Sequence, residues 1–139
     1  MPVSLRKHLL DLSVCLLLLL GLGIRLYNVN WDDNHHIHPD ERWITMVALS
    51  TYMPNPLSDA LNPRRSALNP YWNVQEAAPR RFAYGSFPLY LVRLSATAVS
   101  ASMTATGPLS EWRNANDYDQ LNLVGRVLSA IFDTITIGL

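Results

Sequence analysis

The chain has 139 residues, enough for one small domain. Only 16% are Asp, Glu, Lys or Arg and the formal net charge is zero, which excludes a bulk electrostatic pull toward nucleic acid. The single cysteine, Cys15, excludes an intrachain disulfide framework and is read as a small buried apolar side chain.

The first element is a leucine-rich run. A span from about His8 to Val29 rises roughly 30 Å, the thickness of a hydrocarbon core. Arg6 and Lys7 precede it and no small-x-small cleavage site follows. It is therefore expected to be a retained anchor, with the N-terminus in the cytoplasm. Arg25 near the far end can snorkel to the interface, and Tyr27 and Trp31 suit the interfacial belt.

The segment His36-Ile-His-Pro-Asp-Glu-Arg-Trp43 comes next, on the extracytoplasmic side. Pro39 fits the first position of a juxtamembrane helix from 39 to 52, which Met53-Pro54-Asn55-Pro56 ends. Asp40 and Glu41 then fall in its first turn. Two readings of this pair stand side by side. Acids in a first turn complement the helix dipole, which needs no function. A carboxylate within reach of an acceptor hydroxyl also serves as a general base, and Asp40 with His38 can ligate a divalent cation. Asp32, Asp33, His35 and His36 enrich the local supply of ligands, but the spacing matches no common zinc signature.

The rest of the outer loop, 30 to 86, is broken by Pro54, Pro56, Pro63, Pro70 and Pro79 and is expected to be irregular. Leu61-Asn62-Pro63 and Leu68-Asn69-Pro70 form a small echo, too little for a repeat protein. Arg64, Arg65, Arg80 and Arg81 add positive charge to this loop, with at least half of them read as solvated loop charges. Ser86 and Pro88 open a second span, 87 to 106, stopped by Gly107-Pro108. Its small polar residues favour helix packing over lipid contact, and Arg93 within it needs a partner or a wet cavity. An acidic connection, Glu111 to Asp119, would then be cytoplasmic, and a third span runs from 121 to 139 with Arg126 and Asp133 inside it. A span that reaches the last residue with no polar flank points to the N-terminal part of a longer multi-span protein, whose remaining helices partner the buried charges. The expected fold class is thus an all-α membrane protein of about three transmembrane helices.

Taken in order, Arg25-Leu26-Tyr27, Trp31-Asp32, His38-Pro39-Asp40-Glu41, Tyr84-Gly85-Ser86-Phe87-Pro88-Leu89-Tyr90-Leu91 and Gly125-Arg126-Val127-Leu128-Ser129-Ala130 resemble the start of the GT-C membrane glycosyltransferases. These include the family 39, protein O-mannosyltransferase and lipid A aminoarabinose transferase group. The resemblance covers about Leu16 to Leu139. It implies an integral protein of the plasma (inner) membrane that passes a sugar from a polyprenyl-phosphate donor to an extracytoplasmic acceptor. Under it, Asp40 with Glu41 beside it is the base or metal-linked acid. Arg64, Arg65, Arg80, Arg81 and Tyr84 are candidate substrate contacts, and the cofactor is at most a divalent metal ion held by Asp40 and His38. Gly85-Ser86-Phe87-Pro88 departs from the Pro-Pro form common at this place. The length leaves out most of a donor cavity, so little activity is expected of these residues alone. The alternatives are a non-catalytic membrane protein with a metal- or partner-binding His/Asp loop, and a soluble helical protein behind a signal sequence.

Overall fold

The computed structural model describes residues 3–103 and 110–139. It is mostly helical with almost no strand. Four α-helices follow one another: α1 (Val3–Leu26), α2 (Pro39–Leu49), α3 (Ser86–Ser102) and α4 (Tyr118–Gly138). Short 3-10 turns lie at Leu57–Leu61 and Ser110–Asn114, and a two-residue antiparallel pair joins β1 (Trp72–Asn73) to β2 (Ala78–Pro79). The chain divides into two compact units, one of residues 1–31 and 125–139 and the other of residues 32–124.

The first unit is a helical pair. Leucine is a strong helix former, and α1 runs uninterrupted for 24 residues, about 36 Å. The last backbone bond of the run, Tyr27 N–H to the Gly23 carbonyl, is followed by Asn28 at φ 53. A left-handed residue cannot continue a right-handed helix, so α1 ends three residues before the expected boundary. Leu12, Leu16, Leu17, Leu19 and Leu20 are all exposed. Leu18, Arg25 and Val29 fall on one stripe and meet α4 at Gly138, Asp133 and Arg126 in turn. A Cβ added to Gly138 would lie 3.2 Å from a Leu18 methyl. Arg25 Nε donates to Asp133 Oδ2 at 3.0 Å, and Arg126 donates to the Val29 carbonyl at 3.0 Å with its guanidinium over Trp31. Numbers rise along one helix as they fall along the other, so the two run antiparallel.

Residues 5–26 and α4 are the two helices, among the described residues, that are long and apolar enough to cross a membrane. The expected second span does not join them. Its helix, α3, stops at Ser102 after 17 residues, about 25 Å against a hydrocarbon core of about 30 Å. Residues 104–106 of that expectation lie outside the described residues. Arg93 has partners of its own: Nε donates to the Thr51 carbonyl at 3.2 Å and a terminal nitrogen donates to Asn116 Oδ1 at 2.9 Å.

The second unit has a core. Leu89, Leu121 and Val47 are fully buried, and Ala48, Ala96 and Ala115 expose nothing. Alanines at these places bring backbones close, which is how α2 and the 110–114 turn both pack on α3. The long outer loop is ordered by its asparagines. Asn62, Asn69 and Asn73 each accept the backbone N–H two residues on, from Arg64, Tyr71 and Gln75, at 3.0, 3.0 and 3.1 Å. The side chain mimics a turn carbonyl and so replaces regular pairing. The Leu-Asn-Pro echo is thus two uses of one turn, and the expected irregular loop is a chain of such turns.

Candidate functional site

The N-terminus of α2 places the acidic pair. His38 is extended and caps the helix, accepting the Glu41 N–H on Nδ1 at 3.5 Å. Pro39 occupies the first turn, where its missing donor has no partner to lose. Asp40 is exposed and Glu41 half-buried. One nitrogen of His38 is thereby spent on the helix end rather than left for a cation. His35 Nδ1 lies 2.8 Å from the Asp32 carbonyl, and His36 turns away to α4. The imidazoles and carboxylates that crowd this stretch of sequence form no cluster of three potential ligands among the described residues.

Asp40 does have a partner. The Tyr84 phenol lies near its carboxylate: hydrogen bonding toward Asp40, with partial desolvation and the Asp40 charge, raises the phenol above its ordinary pKa. Tyr84 therefore stays protonated and donating through neutral pH.

Arg80 donates to the Ser50 hydroxyl at 2.7 Å, at the C-terminal end of α2. There a cation also complements the negative end of the helix dipole. A cavity of about 420 Å³ is lined by Trp43, Met46, Glu76, Arg80 and Arg81 among others. Trp43 and Val47 share a helical stripe with Asp40, at spacings of three and seven.

Of the four arginines named from sequence, the structure brings Arg80 and Arg81 to this cavity. The other two lie elsewhere: Arg64 stacks on Trp72 at 5.6 Å, and Arg65, largely exposed, faces Asp59 at 3.9 Å.

A buried cluster that the sequence did not announce fixes the approach to the site. His36 is 8% exposed, with Nε2 2.7 Å from Asp119 Oδ1 and Nδ1 3.3 Å from Asn122 Nδ2. The amide N–H₂ can only donate, so Nδ1 accepts and Nε2 carries the proton toward Asp119. Thr45 of α2 donates to Asn122 Oδ1 at 3.3 Å, and the Tyr118 ring lies 4.3 Å from the imidazole. His36 sits at φ 48, held there by these contacts. The cluster ties the residues just before Asp40 to α2 and to the first turns of α4. Asp119 and Asn122, three apart on a helix, were the available signal, but nothing local links them to a histidine 83 residues earlier.

No known protein family, curated protein or solved structure matches this chain.

Proposed function

We propose that these residues form the entry portion of a membrane glycosyltransferase of GT-C type, acting on a polyprenyl-phosphate sugar outside the cytoplasm. One observation carries the reading. The Asp40–Glu41 pair, among the parts most specific to the resemblance, lies near the start of the Tyr84–Leu91 segment, where the Tyr84 phenol is raised by the Asp40 carboxylate. In this reading the exposed Asp40 carboxylate takes the proton of an acceptor hydroxyl as that oxygen bonds to the anomeric carbon. The bond from that carbon to the phosphate oxygen breaks, and the polyprenyl phosphate leaves with the electron pair. Tyr84 orients the carboxylate, Glu41 adds negative charge beside it, and Arg81 offers a cation to the donor phosphate. The remaining spans of a longer parent supply most of the donor cavity.

The antiparallel pairing of α1 and α4 sets the proposed topology. Two helices that cross in opposite directions leave the residues between them on one side. A single further crossing by α3 would make α1 and α4 parallel, so this reading takes two spans. Arg6 and Lys7 then put the N-terminus in the cytoplasm and residues 32–117 outside the plasma (inner) membrane. The acidic stretch before α4 lies outside as well, where the distribution of Lys and Arg does not oppose it.

The test is transfer by the full-length protein in native membranes, with polyprenyl-phosphate sugars as donors. Asp40→Asn is expected to lower the rate by about 10²–10⁴-fold while insertion is unchanged. Near-normal transfer by that variant removes Asp40 as the base.

A further inference from the structure

A second cavity, of about 720 Å³, lies at the other end of α2. Met53, Leu68, Tyr90 and Leu94 give it an apolar lining, and Met53 and Leu94 stay largely exposed at its mouth. The Tyr90 hydroxyl donates to the Leu68 carbonyl at 2.6 Å and pins the wall formed by α3 to the loop. One charged group, Arg93, lines this cavity. Its contacts among the described residues are to neutral oxygens, the Thr51 carbonyl and the Asn116 amide. Two of five guanidinium donors are used there, and the positive charge meets no carboxylate in those contacts. An apolar chamber of this size is in the range of small-molecule sites, and a half-buried cation inside one attracts an anion that brings its own apolar body.

We propose that this cavity binds a membrane phospholipid with a singly charged phosphodiester headgroup. The acyl chain occupies the apolar chamber and the phosphate oxygens pair with the free edge of Arg93. One cation matches one negative charge, which disfavours the doubly charged phosphomonoesters. Exposed Met53 and Leu94 at the mouth suit a site filled from a bilayer surface. The site is separated from Asp40 by the length of α2, so it stands or falls independently of the transferase reading.

The protein in mild detergent should bind labelled phosphatidylglycerol at least tenfold more tightly than phosphatidylcholine with the same acyl chains. Arg93→Gln should abolish that preference, Arg93→Lys should keep most of it, and Asp40→Asn should leave it intact. Leu94→Trp, which fills the chamber without touching the charge, should weaken both lipids at least tenfold. Equal affinity of the wild-type protein for the two lipids overturns the proposal. So does a preference that survives Arg93→Gln, unchanged binding by Leu94→Trp, or displacement of the lipid by millimolar glycerol phosphate, which would mark a site for free phosphate. If Arg93→Gln does not fold, the wild-type comparison and Leu94→Trp decide.

Discussion

The two units of the chain solve opposite problems. The unit of residues 32–124 buries its apolar side chains against one another, and among the described residues all but one of the buried hydrophobic residues belong to it; the exception is Ala130. The helical pair of residues 1–31 and 125–139 keeps its leucines and isoleucines outward and closes on a narrow stripe of contacts. Outward leucines are costly in water and cost nothing in hydrocarbon, so the pair suits a bilayer and the other unit suits its surface. The polar groups around Asp40 and His36 lie in the unit with its own core, which can hold them in fixed geometry.

This contrast can be broken in several ways. The largest effect belongs to Asp40→Asn in the full-length protein, the loss of transfer described above. In sidedness, Ser58→Cys and Asp117→Cys, each in a Cys15→Ala background, should both react with a membrane-impermeant thiol reagent added from outside. Labelling of position 58 alone would restore a third span and end the two-span topology. In stability, Leu89→Ala should destabilise the 32–124 unit by about 2–5 kcal/mol, read by hydrogen exchange. Leu17→Ala, on the exposed surface of α1, should stay within about 0.5 kcal/mol by the same measure. Comparable losses at both positions would show that α1 has a protein partner on that face.

The Arg25–Asp133 pair sharpens the comparison further. Arg25→Leu leaves Asp133 uncompensated and should weaken the helical pair by about 2–3 kcal/mol in membranes, with Asp133→Leu restoring it in the double variant. No rescue would mean that the two charges act separately. The smallest effect is a titration. Because its bond to Asp40 raises the Tyr84 pKa, the stability from that bond is complete below the ordinary tyrosine value of about 10 and is lost as pH rises through the raised one. Asp40→Asn should bring the Tyr84 pKa down toward the ordinary value, followed by NMR of the ring. An unchanged titration would separate the two side chains.

Local chemistry in the sequence was enough to place α1, the start of α2 and α4 to within a few residues. Helix-forming leucines, Pro39 in a first turn and a run of apolar residues act over three or four neighbours, so they can be read without the rest of the chain. The positions of Asp40 and Glu41 in a first turn followed from the same rule. Distance is what local chemistry does not reach. The composition of 87–106 suits a span, while its helix, α3, packs on α2 and on the 110–114 turn and ends at Ser102; two helices among the described residues are long and apolar enough to cross a membrane. The four loop arginines part in the fold: Arg80 and Arg81 line the cavity, while Arg64 stacks on Trp72 and Arg65 faces Asp59.

Sequence by itself therefore determined the helices and the placing of an acid pair at a helix start, because capping and hydrophobic runs are decided by adjacent residues. Tertiary structure alone decided that α1 and α4 are antiparallel, that His36 is locked on Asp119 and that Tyr84 lies near the Asp40 carboxylate. Those contacts join residues tens of positions apart, and only the packing of buried side chains selects which distant polar groups end up within hydrogen-bond reach.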